Sequence, residues 1–502
     1  MGFLVFLTWV VYLLILLGIV GFLLCTGYIY YTHVKYDHIP GPPRESFFLG
    51  HSPSMMKMMN NNLIIYDPFF EWIEKYGPVI RLNGVHKVMI FVISPEGVKE
   101  FLMSPKYTKD DFYDRLHSMF GARFMGNGLL TDRNYEHWHK QRRIMDPAFS
   151  KISLIGSMGT FNEKAEELMN KLSEKANWKS NVGMHDMMSR LTLDVIAKVA
   201  FGMELFAVRD DQTLFPRTIS KVMKGMVQAR DPLSDFDPFK QSFIKDVKNN
   251  IELLRKTGKE CVERRIEAIK DGEETPKDIL TQILKGGESE DGCTMEDLID
   301  NFVTFFIAGQ ETTANQLSFA VMELGRHPEV LARAQAEVDE VIGSKRDIEY
   351  EDLGKLQYLS MVLKETLRLY PTAPGTSRTS IEEKVIEGVR IPPGSHVMLN
   401  TYIMCRMEKY FPDPLVFNPE RFHPDAPKQT NVYFPFSLGP RTCIGQVFSQ
   451  MEAKVVMAKL LQRFEFELVE GQSFRIVDTG TLRPLDGVIC RLRPRAENKA
   501  QK

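Results

Sequence analysis

The sequence lacks features that mark several common protein classes. Its 63 basic and 65 acidic residues give a net charge of −2, whereas a nucleic-acid-binding protein usually has a strong basic excess, so we expect no nucleic acid as a partner. Six cysteines are scattered over 502 residues without regular spacing, which argues against a disulfide framework and favours a reducing compartment. Neither internal repeats nor a long Ser/Gly/Pro linker divide the chain. We therefore expect one large folded unit.

Charged residues are also missing from the N-terminus. No Asp, Glu, Lys or Arg occurs from Met1 to Val34, and this segment is almost continuously apolar. A helix of about 20 apolar residues can cross a bilayer, whereas the apolar core of a cleaved signal peptide is shorter and follows a basic lead. We predict a transmembrane anchor at 1–34. Lys35 and Arg44 follow it, which favours a cytosolic body.

The chain after the anchor divides into three predicted parts. Pro40, Pro42 and Pro43 remove backbone donors and stop a helix, which predicts a proline-rich hinge at 35–46. A catalytic domain is placed at 47–495, and a polar tail at 496–502 ends the chain.

Local patterns predict a fold that is mainly α with minor β (α+β). Hairpins are predicted around the Asn-Gly pair at 83–84 and around a Pro-Pro-Gly turn at 392–394. The cap pair Thr294 and Asp297 predicts the start of a long helix that runs to about Gly325. Most of the remaining chain has helical periodicity.

The stretch YFPFSLGPRTCIGQ, 433–446, contains a cysteine with no second cysteine nearby. A helical pattern begins just after Cys443, so amide donors and the helix dipole should lower the pKa of its thiol and stabilise a thiolate. Gly439 and Gly445 would let the backbone approach a flat ligand, and Arg441 adds positive charge. A buried structural thiol is the alternative for a lone cysteine.

The spacing Phe436-x-x-Gly439-x-Arg441-x-Cys443-x-Gly445 resembles the haem-binding loop of the cytochrome P-450 family. Other motifs of the family occur in its order: WHKQR at 138–142, AGQETT at 308–313, KETLR at 364–368 and FNPERF at 417–422. The resemblance runs from about residue 39 to residue 493. It implies the cytochrome P-450 fold, with a helix-rich haem domain behind one transmembrane helix. It also implies heme b (iron protoporphyrin IX) with Cys443 as the axial ligand of its iron.

Basic and aromatic donors are candidates for binding the haem propionates. An indole N–H and a guanidinium one helical turn apart can point the same way, which suits carboxylates. The candidates are Trp138, Arg142, Arg378 and Arg441.

Glu365 and Arg368 are three residues apart, a spacing that by itself predicts only a surface ion pair. The family resemblance implies that they join Arg421 in a buried network that holds the fold behind the haem.

The motif at 308–313 predicts the distal side of the haem. Gly309 is unfavourable in mid-helix, and with Ala308 it would leave a groove for dioxygen. Glu311 and Thr312 put an acid beside a hydroxyl, and we predict that Thr312 donates a hydrogen bond at the oxygen site while Glu311 relays protons. A threonine bonded back to its own helix beside a surface glutamate is the alternative for this pair alone.

The resemblance implies a monooxygenase that receives electrons from another protein. The sequence contains no G-x-G-x-x-G fingerprint, so NADPH would act indirectly, through the NADPH-cytochrome P-450 reductase of the endoplasmic reticulum membrane.

Within the family, several stretches resemble the cholesterol 24-hydroxylases beyond the shared motifs, which implies hydroxylation of a sterol side chain. They are HIPGPPR (38–44), NYEHWHKQRR (134–143), DNFVTFFIAGQET (300–312), QAEVDEVIGSKR (335–346) and VVMAKLLQRFEF (455–466). Candidate pocket residues are Phe305, Ala308, Ala373 and Pro374. The chain departs from these enzymes at Gln310, where they have histidine, and near Pro374, where they have a bulky aromatic residue.

Three other functions stay open. They are monooxygenation of another lipid or a xenobiotic, a reductase-independent haem-thiolate isomerase, and a non-enzymatic haem- or sterol-binding protein. Glu311 and Thr312 argue against the isomerase, which needs no proton relay.

Overall fold

A 32-residue helix runs through the middle of the molecule, and several other helices pack against it. The computed structural model describes residues 2–85, 87–231, 234–287 and 292–495, so the predicted tail at 496–502 lies outside the described residues. The fold is mainly helical with small sheets, as predicted.

The α-helices of the described residues are named in chain order. They are α1 (Gly2–Tyr36), α2 (Ser52–Asn60), α3 (Phe69–Tyr76), α4 (Pro95–Met103), α5 (Asp114–His117), α6 (Tyr135–Met145), α7 (Lys151–Ile155), α8 (Met158–Ser173), α9 (Met184–Phe201), α10 (Leu214–Gln228), α11 (Gln241–Lys270), α12 (Ile279–Gly286), α13 (Met295–Arg326), α14 (Pro328–Val341), α15 (Tyr350–Lys355), α16 (Gln357–Leu369), α17 (Thr401–Met404) and α18 (Gln446–Arg463).

The strands form five small sheets within the described residues. The strands are β1 (Val79–Gly84), β2 (Lys87–Val92), β3 (Ser118–Met119), β4 (Ala122–Arg123), β5 (Val182–Gly183), β6 (Gly375–Ser380), β7 (Lys384–Ile386), β8 (Val389–Ile391), β9 (Ser395–Asn400), β10 (Phe464–Leu468), β11 (Ile476–Asp478), β12 (Leu482–Pro484) and β13 (Ile489–Pro494). The largest sheet has the order β1-β2-β9-β6, and β2 pairs with β9 in parallel although their pairing positions, such as Met89 and His396, are 307 positions apart in the chain. Sheets joined in this way depend on long-range packing rather than on local signals.

The long helix α13 confirms the prediction for 294–325. Thr294 and Asp297 form the predicted capping box, in which the Thr294 hydroxyl accepts from the Asp297 amide at 3.2 Å and the Asp297 carboxylate accepts from the Thr294 amide at 3.0 Å. At 1.5 Å per residue the helix is roughly 48 Å long. Between 297 and 324, all its residues are buried except those at 308, 309, 311 and 312.

Both predicted hairpins exist in part, but their turns were misplaced. β1 and β2 pair antiparallel with Gly84 opposite Lys87, so the Asn-Gly pair lies in β1 and the chain turns after it. The second hairpin joins β7 to β8 through Glu387 and Gly388, both with positive φ. The Pro-Pro-Gly segment instead leads the chain from this hairpin into β9 of the main sheet.

The N-terminal helix α1 is the one helix in the described residues that is long and apolar enough to span a membrane. Its C-terminal end packs on the body: the Tyr36 side chain is buried, and the His33 ring lies edge-on to Phe47 at 5.1 Å. The proline-rich segment that follows is tied down by Asp37, which accepts two hydrogen bonds from Arg44 and lies 3.2 Å from Arg81.

Helices α9 and α13 pack closely, and Gly309 lies where they meet. A Cβ on Gly309 would lie 2.9 Å from Cγ1 and Cδ1 of Ile196. Thr192 of α9 adds a hydrogen bond to the Gln310 carbonyl oxygen at 3.0 Å. The glycine therefore sets how near α9 can come to the middle of α13.

We expect Gly309→Ala to lower the free energy of unfolding by on the order of 1 kcal/mol. Overpacking against Ile196 costs about 1–3 kcal/mol, and the better helix propensity of alanine returns only about 1 kcal/mol. In an Ile196→Ala background the same change should be neutral or stabilising. Denaturant unfolding of the four variants measures this coupling, and additive effects would contradict it.

Candidate active site

Cys443 lies in a loop that its own backbone holds in place. The Cys443 amide donates to the Phe436 carbonyl oxygen at 2.8 Å, and the Thr442 hydroxyl donates to the same oxygen at 3.2 Å. Helix α18 begins three residues later, as predicted. The Cys443 side chain is accessible to solvent although it lies deep in the protein, so its sulfur faces an internal space.

The environment of the Cys443 sulfur differs from the prediction in one respect. Burial raises the pKa of the Cys443 thiol, whereas the helix start was expected to lower it. The Gly445 amide and the charges of Arg142 and Lys109 act in the opposite direction and lower the pKa. These donors and cations favour the thiolate, and a metal ion bound to the sulfur would remove the remaining cost of burying it.

The two glycines of the loop do different things. Gly439 has a φ of 69°, and a Cβ there would lie 2.1 Å from the Leu102 carbonyl oxygen of α4. Close packing on α4 requires a glycine here, and the approach of its backbone to a flat ligand stays a prediction. A Cβ on Gly445 would lie 3.8 Å from the Cys443 sulfur, which is an ordinary contact.

Three cations lie together near Cys443, of which Lys109 and Arg378 are buried and Arg441 is partly buried. Burial and the charges of Arg378 and Arg441 hold the pKa of Lys109 well below its ordinary value, and burial with Arg378 lowers the pKa of Arg441 to about 9. Arg378 is 1% exposed, and burial lowers the pKa of its guanidinium too. Nη2 of Arg441 is buried without a hydrogen-bond partner among the described residues. Its guanidinium carbon lies 3.8 Å above the Trp138 ring.

Of the predicted propionate-binding residues, the structure brings together Trp138, Arg378 and Arg441 and leaves Arg142 apart. Arg142 instead donates to Asp146 at 2.6 Å and to the Thr442 carbonyl oxygen at 2.7 Å. It thus supports the cysteine loop rather than the cation cluster.

Buried cations without an ion-pair partner are costly, and they are rare unless a ligand supplies the opposite charge. Within the described residues, Lys109, Arg378 and Arg441 have no carboxylate in ion-pair range. A cysteine sulfur facing the same internal space completes a donor set for an iron porphyrin with two carboxylates. The residues present therefore fit haem.

The motif predicted for the distal side of the haem contains the single accessible stretch in the buried part of α13. Ala308, Gly309, Glu311 and Thr312 are partly exposed while their neighbours on the helix are buried, so this stretch also faces an internal space. A Cβ on Gly309 points at Ile196 of α9 rather than into that space. The predicted oxygen groove therefore cannot be attributed to Gly309, and Ala308 is the small residue that remains for it.

Glu311 and Thr312 are not bonded to each other. The Thr312 hydroxyl donates to the Ala308 carbonyl oxygen at 2.9 Å, the back-bonded arrangement that was the alternative. Glu311 is not a surface residue: it accepts from the Thr481 hydroxyl at 3.3 Å, and burial raises the pKa of its carboxyl. A buried acid with a raised pKa is suited to giving up a proton near neutral pH.

The predicted pocket residues occupy different environments. Phe305 is buried and packs edge-on against Phe149 at 5.2 Å. Ala373 is exposed, whereas Pro374 is buried and its carbonyl oxygen accepts from the Tyr402 amide at 3.2 Å. Ala308 is thus the predicted pocket residue that lies on the accessible part of α13.

Glu365 and Arg368 are fully buried and form two hydrogen bonds, at 2.7 and 2.8 Å. Arg368 also donates to three carbonyl oxygens, those of Cys405, Pro414 and Val416. Nε of Arg421 lies 3.5 Å from Glu365, beyond good hydrogen-bond geometry. The network ties α16 to the segment at 405–421.

Sequence reasoning missed Lys109, Thr481 and Asn315. Lys109 belongs to no motif, and only its position in a buried segment reveals it. Asn315 lies one helical turn after Glu311, a spacing that could have drawn attention to it. Nothing local marks Thr481, because the fold brings it to α13 from 170 residues away.

The comparisons with known proteins agree with this geometry. The model of the Cytochrome P450 family matches residues 40–490. Cytochrome P450 4V2 of Rattus norvegicus is 29% identical, with 92% of this chain and 90% of the relative covered. Cytochrome P450 3A12 of Canis lupus familiaris is 28% identical, with 93% of each chain covered. The crystal structure of the cytochrome P450DA heme domain superposes with a TM-score of 0.80 at 25% identity and covers 92% of this chain and 98% of that one. Since the family model matches nearly the whole chain after the apolar helix, the chain belongs to the cytochrome P450 family.

Proposed function

We propose that the protein is a haem-thiolate monooxygenase that hydroxylates the side chain of cholesterol or a related sterol, as a cholesterol 24-hydroxylase does. The chemistry rests on one observation. A single cysteine that faces an internal space lies near three cations that have no ion-pair partner among the described residues. Membership in the family implies haem iron as the cofactor.

Each residue of the proximal side has a role in this proposal. Haem, when bound, supplies the activation of dioxygen and the transfer of one oxygen atom into a C–H bond. The Cys443 sulfur binds the iron, and Trp138, Arg378, Arg441 and Lys109 bind the propionates. Phe436 fixes the loop because its carbonyl oxygen holds both the Cys443 amide and the Thr442 hydroxyl.

The distal residues move protons in this proposal. The buried Glu311 carboxyl holds a proton, and its pKa is raised. To donate at the oxygen site, the Thr312 hydroxyl must leave the Ala308 carbonyl oxygen, which a rotation about one bond of its side chain allows. Burial around this part of α13 limits the entry of bulk water.

The sterol assignment rests on the stretches that resemble the cholesterol 24-hydroxylases. Residues from one of these stretches, at 300–312, hold the loop at 123–129 in place. Asp300 accepts from Arg123 at 2.6 Å and from the Asn127 amide at 2.7 Å, and Asn301 accepts from the Leu129 amide at 2.9 Å. The resemblance therefore includes residues that shape the protein around α13.

Of the two departures from those enzymes, Gln310 lies away from the site. Its side-chain amide donates to the Ser189 carbonyl oxygen of α9 at 3.3 Å, so a change there affects the packing of α9 on α13. The departure near Pro374 bears more directly on the substrate, because exposed Ala373 precedes it.

The protein would act at a membrane and receive its electrons from a separate reductase. We assign 1–34 as the anchor and 47–495 as the catalytic domain, on the cytosolic face of the endoplasmic reticulum membrane. NADPH-cytochrome P-450 reductase is the proposed partner, and a sterol dissolved in the bilayer could enter without crossing water.

Cys443→Ser should abolish the red-shifted absorption band of the reduced, carbon monoxide-treated protein, because that band requires a sulfur ligand. Cys405→Ser is the matched control, since Cys405 is equally a free cysteine but is fully buried between Thr401 and Val432. Absorption spectra of the two purified variants measure this. A red-shifted band that persists in Cys443→Ser would mean that another residue binds the iron.

Lys109→Met should have opposite effects on the haem-free and haem-loaded proteins. It removes a buried cation that is costly without an anion, so the haem-free protein should unfold at a higher temperature. Haem should leave the loaded variant several-fold faster, measured by transfer to apomyoglobin. Lys106→Met is the control, because Lys106 is exposed and pairs with Glu382. Unchanged haem loss in Lys109→Met would remove this residue from the propionate site.

The full-length protein with reductase and NADPH should convert cholesterol to a side-chain alcohol that mass spectrometry identifies. Oxidation of another lipid or a xenobiotic without oxidation of cholesterol would support the monooxygenase activity and refute the sterol assignment. Turnover of a hydroperoxide without reductase would favour the isomerase, and haem or sterol binding without turnover would favour a binding protein.

A further inference from the structure

A chain of polar side chains leads away from Glu311 to the start of α9. The Thr481 hydroxyl, from the turn before β12, donates to Oε2 of Glu311 at 3.3 Å. Nδ2 of Asn315 donates to Oγ1 of Thr481 at 3.0 Å. Nε2 of His185 lies 2.9 Å from Oδ1 of Asn315. The four residues come from α13, the β11–β12 turn and the first turn of α9.

The donors in this chain all point toward the carboxyl. Burial and the charge of Arg483 lower the pKa of His185, although Asp186 acts against them, so the ring is neutral and its Nε2–H can donate to Asn315. Asn315 then donates to Thr481, and Thr481 donates to Glu311. Hydrogen bonds arranged head to tail polarise one another and strengthen the last bond.

Helix packing alone does not require an amide side chain at Asn315. It is fully buried, and a buried amide is tolerated only when its donors and acceptor are bonded. Its two bonds go to Thr481 and His185, and it also lies within hydrogen-bond reach of Glu311.

We propose that Thr481 and Asn315 are positioning residues for Glu311, with His185 as the outer end of the chain that orients Asn315. They fix the carboxyl on the side of α13 that faces β12 and stabilise its charged form. Together with Arg483, they decide at what pH the carboxyl can release its proton. The inference rests on the proposed role of Glu311, but it concerns the carboxyl itself.

The charges around Glu311 set the direction of the expected change. Burial raises the pKa of Glu311, while Arg483, Thr481 and Asn315 each lower it. Removing any of these three should therefore raise the pKa of Glu311 further, and the carboxyl should stay protonated to higher pH.

Infrared spectroscopy of the haem-loaded protein tests the proposal without turnover. The band of the protonated Glu311 carboxyl is isolated by subtracting the spectrum of Glu311→Gln. In Thr481→Val, which keeps the shape of the side chain, the midpoint for loss of this band should move to higher pH by roughly half a unit to one unit. Asn315→Leu should move it in the same direction, and Thr481→Ser should restore the wild-type midpoint.

Thr479→Val is the matched control, because Thr479 lies in the same turn and donates only to the Thr481 carbonyl oxygen. An unmoved midpoint in Thr481→Val overturns the proposal, and so does an equal shift in Thr479→Val. A carboxyl that is ionised at every pH in the wild type overturns it as well. If Asn315→Leu does not fold, Thr481→Val still decides the question.

A second measurement separates this proposal from the proposed function. The fraction of NADPH electrons lost as hydrogen peroxide should rise several-fold in Glu311→Gln. In Thr481→Val this fraction should also rise, and its pH dependence should shift by the same amount as the midpoint of the infrared band. If Glu311→Gln leaves peroxide unchanged while the band still shifts in Thr481→Val, the proton role of Glu311 fails but its positioning by Thr481 and Asn315 stands.

Discussion

Burial of positive charge without an ion-pair partner among the described residues is the constraint on which this structure depends. Lys109 precedes the first short helical turn after α4, Arg378 lies on β6 and Arg441 lies in the cysteine loop. Left alone, these cations repel one another and pay the cost of leaving water. In the proposed site, the two carboxylates of haem would offset both effects. The segments that meet here come from opposite ends of the chain, and the same ligand would join them.

Helix α13 shows a contrast in burial along its length. It is buried along nearly its whole length, so its few accessible residues stand out as the place where small molecules can meet protein groups. The capping box fixes its start, and close packing on α9 fixes its middle. A rigid helix holds the Glu311 carboxyl and the Thr312 hydroxyl more accurately than a loop would.

The parts of the structure that depend on neighbouring residues could be predicted from the sequence. Thr294 and Asp297 are three residues apart, and the helix start they predict is found. The helical pattern after Cys443 is equally local. The turn of the first hairpin was misplaced because β-pairing extends through the Asn-Gly pair, and tertiary contacts of the His51 ring with the Asn83 amide hold that pair in the strand. The environments of Gly309 and Gly439 depend on Ile196 and Leu102, which no local pattern connects to them. Long-range polar contacts, such as that of Thr481 with Glu311, likewise could not be predicted from the sequence.

The docking of α1 on the body has a mechanical consequence. Tyr36 is buried beside the Ser395 hydroxyl of β9, and Nζ of Lys35 reaches the Pro393 carbonyl oxygen at 3.3 Å. Because of these contacts, the apolar helix and the main sheet should move together. A bilayer of different thickness changes the tilt of such a helix. The sheet would follow that tilt, so lipid composition would set the angle at which the whole enzyme rests on the membrane surface.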